Sequence, residues 1–274
     1  MPEISFIILC WNSAEYLKRC IDSVVAKCSG ESIPFEIIVV DNGSSDSSVA
    51  IMREYERVNP DIFKLISLDS NTGTTYSRNL GLKLARGNNL CILDSDTEFG
   101  SGSLKQIVHL LGTREKVGMV APSLILPDGN VQNSVKRFPT MWHKLLKIPK
   151  IVFGTPTRNA DFYQDFPFEG EREVDTAISA CWIFRRELLE TVGYLDEKIF
   201  YSPEDLDYSQ RVRKAGYSIL YYTALKVLHH TQQISHKKPF SMTAVSHLGG
   251  LFYYYHKHGG WFFRPSFAGK AHVQ

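Results

Sequence analysis

An apolar run, Leu90-Cys91-Ile92-Leu93, stops abruptly on Asp94-Ser95-Asp96, two carboxylates one residue apart. If the run is a strand, alternation sends Asp94 and Asp96 to one face and Ser95 to the other, so two hard oxygen donors converge at a strand end. Such a pair suits Mg²⁺ or Mn²⁺, ions held partly by protein and partly by the oxygens of a diphosphate. The same residues would also serve as an ordinary acidic loop capping the next helix, and an isolated Asp-x-Asp does not separate the two readings.

The elements that must position these carboxylates follow from the hydrophobic pattern. Residues 4–9 are an apolar run, the pattern of a strand covered on both faces; 35–40 read as a second buried strand, and 63–68 and 90–93 as the third and fourth strands. Between them lie helical patterns. One is opened by Asn12 and Glu15 as a capping box and continues through Leu17, Ile21 and Val24. A second carries Val49, Met52 and Tyr55 after the polar turn Asp41-Asn42-Gly43-Ser44-Ser45-Asp46, and a third covers residues 74–85 with Gly87 as its stop. This alternation predicts an α/β fold with a mostly parallel sheet and helices on both faces, whose ligands sit beyond the carboxyl ends of the strands. Asp41 and Asp94 fall at two such ends.

After Asp96 the rhythm changes. A helix is expected near residues 104–111, a short strand at 119–121, and a hairpin turn at Asp128-Gly129. Residues 139–173, rich in Pro, aromatics and charge, read as an irregular insertion. A strand over 177–184 then runs into a helix over 187–192. Another helix begins at Tyr201-Ser202-Pro203-Glu204-Asp205, with Ser202 as N-cap and Pro203 at the first position, and ends at Gly216. Strands 218–222 and 225–228 lead into His229-His230. Residues 1–235 therefore read as one domain and 236–274 as a helical, aromatic and basic extension.

With 274 residues, 43% of them hydrophobic, the chain can bury a full core. A formal charge of +2 gives no general attraction for nucleic acid, so none is expected as a partner. The cysteines, Cys10, Cys20, Cys28, Cys91 and Cys181, are odd in number and lack metal-type pairs, so buried reduced thiols and a cytoplasmic setting are expected. No run reaches a membrane span, and Met1-Pro2-Glu3 leads straight into a strand without a signal peptide, which predicts a soluble or peripheral protein.

Five ordered pieces carry a resemblance: residues 6–12, 39–46, 71–81, 93–96, and 193–207 followed by His229. Over residues 4–235 the chain resembles glycosyltransferase family 2, nucleotide-sugar transferases with the GT-A fold. Gly193-Tyr194-Leu195-Asp196-Glu197 and Glu204-Asp205-Leu206-Asp207 look most like the rhamnosyltransferase branch that builds bacterial surface polysaccharides. The resemblance implies an inverting, metal-dependent transferase that uses Mg²⁺ or Mn²⁺ and a UDP- or dTDP-linked sugar, dTDP-rhamnose among them. The acceptor is a saccharide, lipid-linked in part of the family.

By the same resemblance, Asp41 accepts a pyrimidine N–H, with Cys10, Trp11 and Asn12 beside the base. Asp94 contacts the ribose or supports the metal ligands, Ser95 belongs to the nucleotide site, and Gly73 and Arg78 lie on the diphosphate. Asp96 is the main metal ligand and His229 completes the shell, although His230 is a rival one position on. Asp205 is the general base, its proton affinity raised by Glu204. Trp182, Tyr201 and Glu204 are candidate acceptor contacts, set against ordinary core packing for the aromatics. Residues 252–264 join aromatic and basic side chains, which would lie against an anionic bilayer on the inner face of the plasma membrane, close the acceptor cleft, or pair two subunits as a homodimer. A nucleotidyltransferase and a non-catalytic glycan-binding protein are the rival readings. A flavodoxin-like dinucleotide binder is disfavoured because no G-x-G-x-x-G follows the first strand.

Overall fold

The structure, a computed structural model, describes residues 1–145, 161–231 and 242–267. Its centre is four parallel strands in the order β3-β2-β1-β4: β1 (Ile4–Cys10), β2 (Phe35–Asp41), β3 (Phe63–Ser67) and β4 (Asn89–Asp94). The inner three, β1, β2 and β4, are almost wholly buried because both faces are covered, whereas β3 at the edge is only partly buried. Phe6 and Ile8 pack with Leu17, Ile21 and Val24 of α1 (Ala14–Gly30) and with Met52 of α2 (Ser48–Val58). Ile7, between them on the strand, packs on the other side with Leu82 of α3 (Thr74–Leu84).

The second half of the sheet is mixed. After β5 (Thr97–Phe99) and α4 (Leu104–Thr113) come β6 (Val117–Ile125), β7 (Val135–Lys136), α5 (Met141–Leu145), β8 (Arg172–Val174), β9 (Thr176–Ala177) and β10 (Cys181–Arg185). Then follow α6 (Leu188–Thr191), α7 (Glu204–Lys214), β11 (Ser218–His229) and α8 (Met242–His258). The order continues β4-β10-β6-β11-β5, with β10 antiparallel to both neighbours and β11 parallel to β6. Strand β6 is longer than residues 119–121 because β10 and β11 pair along its two edges. The two expected strands after α7 are one, β11, with a register shift between Tyr222 and Lys226.

Two helix starts differ from expectation. Asn12 makes no capping box: it is left-handed (φ +50°), and its Oδ1 accepts from the Ser45 N–H at 2.8 Å, so α1 begins only at Ala14. The freed donor at Ala14 is met by Asp46 at 3.0 Å. Ser202 does not cap α7, which starts at Glu204 with Pro203 in the cap position; the Asp207 N–H donates to the Pro203 carbonyl at 3.1 Å. The hairpin at Asp128-Gly129 is present, closed by an Ile125–Val131 bridge. Within the insertion, residues 146–160 lie outside the described residues, as do 236–241 and 268–274 of the extension. Helix α8 packs Leu251, Tyr254 and Tyr255 against Phe138, Met141 and Leu206, so it is seated on α5 and α7.

Candidate active site

Asp94 closes β4, Asp96 lies in the tight turn to β5, and His229 ends β11, which pairs antiparallel to β5 with His229 opposite Thr97. Their ligand atoms all lie within 4.8 Å of one another. The convergence therefore comes from a turn and a strand pairing, not from alternation along one strand. His229 Nε2 is 3.5 Å from Asp96 Oδ1, and its Nδ1 is 2.8 Å from Gln132 Oε1. With Nδ1–H donating to that amide oxygen, the Nε2 lone pair faces the carboxylates, the orientation a metal ligand requires. His230 faces elsewhere: its Nε2 is 2.6 Å from Glu98, and its ring stacks on Tyr16 at 4.8 Å. Burial, together with Asp96, holds the Asp94 carboxyl above its usual range even though Arg78 pulls the other way. Burial works to lower the His229 value, yet Asp96 and Asp94 raise it above the ordinary range. Two carboxylates and one oriented imidazole fit a divalent cation such as Mg²⁺ or Mn²⁺. Ser95 takes no part through its side chain, which is buried and donates to Ser13 Oγ at 2.9 Å.

Arg78 of α3, expected on the diphosphate, is buried. Its Nη2 donates to Asp94 Oδ1 at 2.6 Å, and its Nη1 to Glu204 Oε1 at 3.2 Å and Ser179 Oγ at 2.9 Å. Burial alone would lower its pKa, but the Asp94 and Glu204 carboxylates outweigh that and raise it. The guanidinium thus braces the end of β4 against the start of α7. Glu204 also accepts from Ser179 Oγ at 2.8 Å, and burial together with Asp205 pushes its carboxyl up to about 7, against the pull of Arg78. Glu204 is 8% exposed, so it serves as an internal strut and not as the acceptor contact expected of it. Asp205, one residue on, lines a cavity with Lys136, Lys144, Asp161 and His247.

At the ends of β1 and β2, Cys10 and Asp41 are register partners. Asp41 is buried and accepts from the Ser44 N–H at 3.2 Å and the Ser67 hydroxyl at 3.4 Å, which holds the polar turn. Burial pushes the Cys10 thiol up to about 11, while its carbonyl accepts from the Asn42 N–H at 2.8 Å. Trp11 is exposed beside them. Asn42 Nδ2 donates to Asn71 Oδ1 at 3.0 Å, and its Oδ1 accepts from the Thr72 N–H at 2.8 Å and Ser77 Oγ at 2.9 Å, tying β2 to α3.

The first two amides at the start of α3, Gly73 among them, are not open to a phosphate. The Gly73 N–H donates to Asn71 Oδ1 at 2.9 Å and the Thr74 N–H to the Phe200 carbonyl at 2.7 Å, so both amides are engaged. Gly73 is required for this closure: φ is +87°, and a Cβ there would sit 2.3 Å from the Phe200 oxygen. Trp182 is no sugar platform, being fully buried, stacked on Tyr208 at 5.8 Å and donating to the Ala177 carbonyl at 3.2 Å. Tyr201 is partly exposed, and its carbonyl accepts from the Thr74 hydroxyl at 3.1 Å.

The family model for glycosyl transferase family 2 matches residues 5–193. The chain belongs to this family. The glycosyltransferase is 24% identical over 247 residues to the N-acetylglucosaminyl-diphospho-decaprenol L-rhamnosyltransferase of Mycobacterium tuberculosis (strain CDC 1551 / Oshkosh), covering 85% of this chain and 78% of that one. It is also 24% identical to the O-antigen biosynthesis protein RfbC of Myxococcus xanthus, over 84% of this chain and 17% of the relative. Among solved structures, GalNAc-T7 with UDP, GalNAc and Mn²⁺ aligns with a TM-score of 0.69 at 15% identity, over 93% of this chain and 48% of that one. The mannosyltransferase PcManGT from Pyrobaculum calidifontis, in complex with GDP-Man and Mn²⁺, aligns with a TM-score of 0.57 at 17% identity, over 86% and 59%. The glycosyltransferase spans about half the length of the first of these structures, and both likenesses establish the GT-A fold.

The family match takes in Asp41, Arg78, Asp94 and Asp96 of the glycosyltransferase and stops before Glu204, Asp205 and His229. Four site groups escaped the sequence reading: Asn42, Gln132, Ser179 and the Arg78–Glu204 bond. Asn42 had a signal, since it follows Asp41 at a strand end; Gln132 and Ser179 lie in segments without any motif. Among the described residues, no helix is long and apolar enough to cross a membrane.

Proposed function

We propose that the chain is an inverting, metal-dependent transferase that moves a sugar, rhamnose from a dTDP donor in the favoured case, to a saccharide on a lipid diphosphate during assembly of a surface polysaccharide. The observation that carries this reading is the Asp94–Asp96–His229 cluster within 4.8 Å, braced through Arg78 to the helix start that holds Glu204 and Asp205. The names of the relatives support the choice of substrate class. A divalent ion bound there would act as a Lewis acid on the charge that grows on the departing diphosphate. Asp41 would pair with the pyrimidine N–H, and Trp11 would cover the base. Asp205 would take the proton from the acceptor hydroxyl, the role the family resemblance implies and one that Glu204, bound internally, does not offer; the cavity that Asp205 lines includes none of Asp94, Asp96 or His229. Attack from the face opposite the leaving group inverts the anomeric centre. The enzyme would work on the cytoplasmic side, in keeping with its five free cysteines.

A thermal-shift panel of UDP, dTDP, GDP and ADP, each with and without Mn²⁺, tests the reading. UDP or dTDP is expected to raise the melting midpoint only with metal, by the equivalent of about 2.7 kcal/mol at a hundredfold excess over Kd. Silence from every nucleotide, or preference for ADP, sinks it. Retention of sugar transfer by Asp205→Asn removes that residue as the base.

A further inference from the structure

Two adjacent glycines, Gly249 and Gly250, interrupt the middle of α8, although glycine is among the poorest helix formers. Gly249 is exposed, and a Cβ built on it would meet nothing within 4 Å. Gly250 is buried. A Cβ there would lie 2.2 Å from the Ser202 carbonyl oxygen, nearer than any carbon can approach, and 3.0 Å from Pro203 Cδ. Only a residue without a side chain lets α8 rest directly on the Ser202-Pro203 backbone, which leads straight into Glu204 and Asp205. Neither partner is free to yield. Just upstream, the Thr75 hydroxyl donates to the Ile199 carbonyl at 2.6 Å and the Thr74 N–H to the Phe200 carbonyl at 2.7 Å, which fastens this segment to α3. Helix α8 is bound along α7: Leu251 and Leu206 share one apolar cluster, the Tyr254 hydroxyl donates to Gln210 Oε1, and Lys257 and His258 reach Asp207. His247 and Leu251, on either side of Gly250, line the cavity with Asp205.

We propose that Gly250 is a positioning residue for Asp205: its missing side chain sets how closely α8 lies on Ser202 and Pro203, and thereby where the first turn of α7 holds the carboxylate. The inference deepens the function proposed above and rests on it for the role of Asp205. An added methyl group must either lift α8 from α7 or push the Ser202-Pro203 peptide. The first changes what surrounds Asp205; the second moves it. A displacement of about 1 Å in a reacting group costs up to about a hundredfold in rate.

The test compares Gly250→Ala with Gly249→Ala in the full chain, with aspartate isotopically labelled at the side-chain carboxyl and read by NMR. The Asp205 signal is assigned by its loss in Asp205→Asn. Both alanines improve the helix to the same degree, so only the contact with Ser202 distinguishes them. Gly250→Ala is expected to displace the Asp205 signal while the nucleotide response in thermal shift is kept. In Mn²⁺-dependent transfer from dTDP-rhamnose to a synthetic saccharide diphospholipid, it is expected to lower kcat by about tenfold to a hundredfold at unchanged donor KM. Gly249→Ala is expected to match the parent in all of these. An Asp205 signal that stays in place in Gly250→Ala, or moves equally in both variants, overturns the proposal, and so does an unchanged kcat in an active enzyme. Failure of Gly250→Ala to fold, both alone and combined with Gly249→Ala, overturns it as well, because the contact would then serve the fold at large. The carboxyl signal is read without substrate, so a parent that transfers no sugar counts against the transferase reading alone.

Discussion

His229 and His230 are neighbours in sequence with opposite surroundings. One is aimed at Asp96 by Gln132; the other is held by Glu98 and Tyr16. Asp96→Asn and His229→Gln are each expected to abolish the Mn²⁺-dependent part of nucleotide stabilisation, while His230→Gln keeps it; calorimetric titration with Mn²⁺ measures the difference. Glu204 supplies a prediction in pH. Its carboxyl is raised from 4.5 to about 7, mainly by burial, so between those values the folded state binds more proton than the unfolded chain. Stability therefore falls as pH rises from 4.5 to about 7, and the loss is complete above that window. Urea unfolding in EDTA is expected to show this slope in the parent and a flatter one in Glu204→Gln, which mimics the protonated form. Equal slopes would refute the assignment. Arg78 illustrates the limit of local reading: nothing in Thr75-Tyr76-Ser77-Arg78-Asn79 announces that its partners are Asp94 and Glu204.

Helices α7 and α8 are joined by a buried carboxylate. Asp207 accepts from Arg211 at 2.9 Å, Lys257 at 2.6 Å and His258 at 2.7 Å, while Lys257 also reaches Asp196 at 2.6 Å. Burial would raise the Asp207 pKa, but these donors outweigh it and hold the carboxyl well below the usual range. The stability it contributes is present above the ordinary carboxylate value of 3.8 and is lost as pH falls below that toward the depressed folded value. Asp207→Asn leaves three donors facing a neutral group, and a loss on the order of 3 kcal/mol is expected in denaturant unfolding, with faster amide exchange in α8. An exchange rate in α8 equal to that of the parent would show that α8 is held by Leu251, Tyr254 and Tyr255 alone. At this scale the sequence was informative about interiors and less so about ends. The apolar stripes of α1 to α4 are visible as spacing, whereas the start of α1 depends on Ser45 and Asp46 and that of α7 on the Pro203 backbone.

All five cysteines are free and buried, on β1, α1, β4 and β10. Burial pushes the Cys10 thiol up to about 11 and the Cys28 thiol up to about 12, so little thiolate exists at neutral pH. An aromatic disulfide reagent is expected to leave the native protein unlabelled and to titrate all five in urea. Rapid labelling of even one in the native state would mean that the strand or helix carrying it opens locally.

The sequence alone determined the four parallel strands, the cover of the inner ones on both faces and the placing of Asp41 and Asp94 at strand ends. Those features depend on near neighbours: a continuous apolar run must be buried on both sides, and a polar break must end it. The tertiary structure alone decided that His229 and not His230 joins the acids, that Trp182 is core, that the first amide of α3 is taken by Phe200, and that Glu204 turns toward Arg78 while Asp205 lines the cavity. Each of these follows from the order and register of segments distant in the chain, which no local spacing encodes.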